Sequence, residues 1–120
     1  MSVRQEKISN LVKETLSIIF LQKVKDPELG LVTITKTIVS PDLKIAKIYV
    51  SVYEKDKREY VMEHIESIKG LLRTELAKKA NLRITPELYF YVDDTQDYVD
   101  KINEIFTSLK NDDNKKDESN

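Results

Sequence analysis

The chain has 120 residues, of which 40% are hydrophobic and 34% charged, with a formal net charge of −1; this suits one modest core and no second domain. It contains no cysteine and a single histidine, which excludes disulfides, thiolate metal sites, thiol nucleophiles and any site needing two imidazoles from one chain. No apolar run approaches the roughly 20 residues that span a bilayer, and MSVRQEKISN has no signal-peptide segment, so a cytoplasmic protein without a membrane span is expected.

Ser2 and Gln5 fit a capping box, and Ile8, Leu11, Val12, Leu16, Ile19 and Lys23 follow at helical spacing, which predicts a first helix over about 3–23. KDPELG (25–30) ends it, because the residue before Pro27 is pushed out of helical geometry and Gly30 permits a turn. LVTITKTIV reads as a strand in which Val32 and Ile34 share one parity while Thr37 and Val39 take the other. A bulge near Thr35 or Lys36 reconciles them. SPDL (40–43) is a turn, with proline at one corner and aspartate bonding the backbone. Ala46, Ile48, Val50 and Val52 then line one face of a second strand, and the short connection predicts a hairpin.

Asp56 and Glu59 repeat the capping-box pattern ahead of a helical run over about 57–80, in which Val61, Ile65, Ile68, Leu72 and Leu76 form one stripe and Gly70 sits in the middle. ITPELYFYVDD carries Leu88, Phe90 and Val92 on one face and Tyr89 and Tyr91 on the other, a third strand. Asp94 or Thr95 caps a last short helix with Tyr98, Ile102, Ile105, Phe106 and Leu109 recurring along it. NDDNKKDESN (111–120) has no apolar residue and is expected to be a disordered polar tail behind a domain spanning 1–110. The order predicts an α+β domain with helices packed on one face of a three-stranded sheet. It is the order α-β-β-α-kink-α-β-α of the type II K-homology fold, in which a nucleic-acid strand lies along a break between two helices.

Charge is segregated along the chain. Residues 1–25 carry five cations and two anions, residues 69–83 five cations and one anion, and residues 84–113 eight anions and two cations. A near-neutral total can therefore hide a basic face. Lys69 and Arg73 lie four apart on one helix face, and Lys78, Lys79 and Arg83 continue past them around Gly70. Converging cations are what phosphate binding needs. Arg4, Lys7, Lys23 and Lys25 are candidates to extend the same surface, although each alone reads more readily as a solubilising charge.

The series KDPELG (25–30), VTIT (32–35), VSPDLKIAKIYVS (39–51) and GLLRTELAKKANLRITPELYFYVDD (70–94) resembles the ribosome-binding factor A family over roughly residues 3 to 109. The resemblance implies a type II K-homology fold in which the usual Gly-x-x-Gly loop gives way to a kink built on an Ala-x-Gly triplet. Here the triplet aligns with Ile68-Lys69-Gly70, so isoleucine stands at the alanine position. It further implies a monomeric assembly factor that binds the small (30S) ribosomal subunit and its 16S rRNA, aids processing of the rRNA precursor and supports growth in the cold. No catalysis, cofactor, metal or small-molecule substrate is implied.

Other features have plainer readings. Tyr49, Tyr53, Tyr89 and Tyr91 could stack bases, but tyrosines in strands more often fill a sheet edge with their hydroxyls in water. Asp93, Asp94 and Asp97 crowd one loop without the central glycine and terminal glutamate of a calcium loop, which favours helix capping. His64 has no nucleophile or carboxylate constellation around it. The alternative function is a small protein-interaction adaptor whose basic helix face binds an acidic protein partner.

Overall fold

The computed structural model describes residues 2–23 and 27–118, with side chains described for 2–23 and 28–110. Helix α1 (Val3–Lys23) is followed by a single 3-10 turn (Pro27–Leu29), strands β1 (Val32–Val39) and β2 (Ile45–Val52), a second 3-10 turn (Lys55–Lys57), helices α2 (Arg58–Ser67) and α3 (Lys69–Ala80), strand β3 (Glu87–Val92) and helix α4 (Thr95–Glu118). The strands form one sheet in the order β1-β2-β3. β1 and β2 are antiparallel, whereas β3 runs parallel to β2.

Local chemistry explains most boundaries. The capping box that opens α1 is made in both directions: the Gln5 N–H donates to Ser2 Oγ at 3.1 Å and the Ser2 N–H to Gln5 Oε1 at 3.2 Å. Gly30 adopts φ +69, a left-handed conformation that glycine enters without steric cost. The expected bulge lies where the parity of β1 switches, with the register shifting between Ile34 and Lys36. In the 40–43 turn, the Lys44 N–H donates to Asp42 Oδ1 at 3.1 Å and the Ile45 N–H to Ser40 Oγ at 3.0 Å. That network holds Leu43 at φ 62, against the strain a side chain meets there.

One sheet face carries the core. Ile34, Val39, Ala46, Ile48, Val50, Val52, Leu88 and Phe90 are buried against Val12, Leu16, Ile19 and Phe20 of α1, Val61 and Ile65 of α2, and Leu72 and Leu76 of α3. At the end of β1, both backbone groups of Val39 are taken by α1: its N–H donates to Ser9 Oγ, and its carbonyl accepts from Gln5 Nε2. Among the described residues, no helix packs on the opposite face of the sheet.

Three expectations need correction. The capping box at Asp56 and Glu59 is not made, because the chain turns once as a 3-10 helix and leaves Lys57 at the α2 N-cap with no side-chain cap. The cap of α4 comes from Asp93, whose Oδ1 accepts the Thr95 N–H at 2.9 Å, and not from Asp94 or Thr95. Finally, α4 is neither short nor packed. Its backbone stays helical to Glu118, and residues 101–110 are exposed throughout, so its apolar stripe does not join the helix layer.

Candidate nucleic-acid interface

The run from 57 to 80 breaks into two helices at Ile68, which takes φ −108 and ψ 11. Its N–H is shared between the carbonyls of His64 and Ile65, each at 3.2 Å, and the Ser67 hydroxyl donates to the His64 carbonyl at 2.6 Å. A hydroxyl that bonds back into its own helix competes with the regular ladder and favours a bend. The apolar stripe nevertheless runs through the break, with Ile68 partly packed on the core between Ile65 and Leu72. Gly70 lies two residues beyond the break, inside the first turn of α3. A Cβ built there meets nothing within 4 Å, so the backbone at Gly70 faces open space.

Around this point the cations do different jobs. Arg73 donates from Nε to the Pro86 carbonyl at 3.2 Å and from Nη2 to the Thr85 carbonyl at 3.0 Å, binding α3 to the segment that leads into β3. Gly70, Arg73, Ala77, Arg83 and Thr85 line one open groove. A second groove, lined by Lys69, Gly70, Arg73, Glu87 and Leu88, runs from α3 towards β3. Lys69 is held from two sides, 3.9 Å from Glu66 Oε2 and 4.7 Å above the centre of the Tyr89 ring. Lys78 and Arg83 are exposed, with no ion pair among the described residues. The left-handed Asn81 that ends α3 (φ 51, ψ 43) turns the chain so that Arg83 faces the same groove as Arg73.

The candidates on α1 divide. Lys79 Nζ donates to Gln22 Oε1 at 2.7 Å, which brings the end of α1, and Lys23 beside Gln22, to the end of α3. Arg4 and Lys7 are exposed at the other end of a 21-residue helix, roughly 24–28 Å from Lys23 at 1.5 Å per residue. They do not belong to the cluster around Gly70. Lys25 lies outside the described residues.

Two contacts had no signal in sequence. Arg73 meets residues 12 and 13 positions ahead through a loop. Arg58 grips Asp97 with two hydrogen bonds, 2.7 and 2.9 Å, with Lys55 Nζ 3.2 Å from the same carboxylate. Arg58 holds the Asp97 carboxyl down at about 2. The acidic loop is thus consumed by structure: Asp97 pins α4 to α2, and Asp93, also lowered, accepts from the Thr35 hydroxyl and the Thr95 N–H. Among the described residues, no group of three or more His, Cys, Asp or Glu side chains could hold a metal ion.

The sequence model for ribosome-binding factor A matches residues 4–106. The chain belongs to the ribosome-binding factor A family. It is 38% identical over 113 residues to ribosome-binding factor A of Macrococcus caseolyticus, covering 93% of this chain and 99% of that one. To the Carboxydothermus hydrogenoformans protein of the same name it is 42% identical over 111 residues, covering 91% and 88%. Among solved structures it is similar to the solution structure of a Thermotoga maritima protein assigned to the family, with 30% identity and a TM-score of 0.63 over 76% of this chain and 88% of that one. The crystal structure of ribosome-binding factor A from Thermus thermophilus shares the fold, with 23% identity and a TM-score of 0.65 over 73% and 94%. A homology model of Thermus thermophilus ribosome-binding factor A has also been fitted into a cryo-EM map of a 30S–RbfA complex, and this chain matches it with a TM-score of 0.62 at 24% identity over 70% and 89%. The α+β arrangement, with a three-stranded sheet and two helices meeting at a kink, is the family's type II K-homology-like fold.

Proposed function

We propose that this chain acts in the cytoplasm as a monomeric, non-catalytic assembly factor for the small ribosomal subunit. It binds 16S rRNA through phosphates that lie in the groove beside the α2–α3 break, aids processing of the rRNA precursor and matters most in the cold. The observation that carries the binding site is the groove lined by Gly70, Arg73 and Arg83, with the exposed Lys78 next in sequence to Ala77 of its lining. Cations converge there on a stretch of helix with no side chain to block approach. Phosphate contacts of this kind fix position on a folded RNA without reading its sequence. Family membership and the 30S complex of the Thermus relative support the same partner.

The test is the salt dependence of binding to immature small subunits. Replacing Lys78, Lys79 and Arg83 together by Gln leaves the Arg73 loop contact and the Lys69–Tyr89 contact intact. The slope of log affinity against log salt should fall by roughly 0.7–0.9 for each phosphate contact removed, or about 2–3 units if each residue meets one phosphate. Unchanged affinity with an unchanged slope would mean that these cations are a solvated face. Retained binding to an acidic protein, with no affinity for subunits, would favour the adaptor reading.

A further inference from the structure

The face of the sheet that carries no helix is not a plain polar surface. Cross-strand register sets Lys36, Tyr49 and Tyr91 in one row across β1, β2 and β3, and Lys47 beside Tyr89 in the next. Residues directly opposite in a sheet point to the same side, and rows two residues apart are about 7 Å from one another. Three tyrosine rings and two ammonium groups therefore alternate on one flat patch. The Tyr49 and Tyr91 rings lie 5.5 Å apart, tilted by 31°. Tyr89 and Tyr91 remain 39% and 41% exposed, so ring surface stands in water, with the Lys69 ammonium 4.7 Å from the centre of the Tyr89 ring. The anions at this patch are already engaged: Glu87 accepts from the Tyr89 hydroxyl at 3.3 Å, and Asp93 accepts from Thr35 and Thr95.

We propose that this open face, centred on Tyr49, Tyr89 and Tyr91, is a stacking platform for unpaired bases of single-stranded RNA. Flat aromatic faces accept any nucleobase, and interleaved lysines follow the backbone between the stacked bases. Continuity with the helix site sets the occupant as RNA. The groove lined by Lys69, Gly70 and Glu87 leads from the α2–α3 break to the edge of β3, and Lys69, from α3, already sits over the Tyr89 ring. A strand whose phosphates lie at Gly70 meets Tyr89 next. The platform gives the rRNA reading a second contact and rests on that reading for the source of its RNA. It would recognise unpaired nucleotides where the helix groove recognises the phosphates of a folded RNA.

The probe is a ten-nucleotide oligouridine carrying one 4-thiouridine, bound to the full chain, photo-crosslinked and mapped by mass spectrometry. Crosslinks at Tyr49, Tyr89 or Tyr91 are expected. Replacing Tyr49 and Tyr91 together by Leu should weaken oligonucleotide binding at least tenfold, since two base–aromatic stacks are lost. Its salt slope should stay unchanged, because no phosphate contact is lost. The double Phe variant should bind within about twofold of the native chain, as stacking needs the ring and not the hydroxyl. Crosslinks confined to α3, or Leu and Phe variants that bind equally, would overturn the platform; the crosslink map on the native chain decides even if the Leu variant folds poorly. The two readings fail differently. Loss of the subunit salt slope in the Lys78, Lys79, Arg83 variant with no effect of Tyr→Leu removes only the platform, and the reverse pattern removes only the helix groove.

Discussion

The kink expected on the Ile68-Lys69-Gly70 triplet falls at its first residue: the backbone departs from helical geometry at Ile68, two residues before Gly70. Gly70 itself is an ordinary helical residue with free space where a side chain would stand. In the proposed rRNA contact, its lack of a side chain serves approach and not bending. Gly70→Ala should raise stability by about 0.4–1 kcal/mol, by restricting the unfolded chain at a position whose native geometry alanine tolerates. It should also weaken binding to immature subunits, because the methyl fills the space a phosphate would occupy. Thermal denaturation and a subunit-binding titration check both halves, and unchanged binding would move the contact away from Gly70. Arg73 illustrates what residue-level reading misses. Its spacing from Lys69 places it on the right face, yet two of its donors are committed to the Thr85 and Pro86 carbonyls. Losing hydrogen bonds from a charged group costs stability as well as charge, so an Arg73 variant cannot report on binding alone.

Elements were legible where the pattern is local, and illegible where the partner is distant. The bulge in β1 could be read because a parity switch within eight residues leaves no other way to keep Ile34 and Val39 on one face. The stripe on α2 and α3 likewise survives the break. The amphipathic stripe of α4 gave the helix but not its surroundings: periodicity shows which side is apolar and says nothing of what covers it. In the structure Ile102, Ile105, Phe106 and Leu109 are all more than half exposed, and the helix is held by its first turn. That anchor makes the attachment of α4 depend on acid. Asp97 titrates near 2 in the folded chain, below its ordinary value of about 4, so its contribution is complete above about pH 4 and lost as pH falls towards 2. Asp97→Asn should lower the melting temperature at pH 7, and the gap from the native chain should close by about pH 2. A gap of the same size at both ends would show that the loss comes from packing and not from charge.

At the scale of the whole molecule, element order and the core were readable from the sequence, because hydrophobic periodicity carries both. The site was readable only as a one-dimensional run of cations, and the chain's slightly acidic total concealed it. What no linear pattern could give was the assembly of Lys36, Lys47 and three tyrosines on one face, since that depends on the register of three strands drawn from separate segments. The parallel pairing of β3 with β2 also bears on the order in which the molecule forms. Residues 40–44 suffice to close the β1–β2 hairpin, whereas β3 can join only after residues 53–86, with both helices of the kinked pair, have been looped back. On chain entropy alone the second closure costs about 1.7 kcal/mol more than the first, so the hairpin and α1 form the natural nucleus and β3 docks late. A shallow truncation in β1, Ile34→Val, should then appear mainly as slower folding, and Phe90→Leu in β3 mainly as faster unfolding, when folding and unfolding rates are measured across denaturant concentrations. The opposite partition would make the β2–β3 crossover the first structure to form, with the helix break acting as a folding hinge before any RNA is bound.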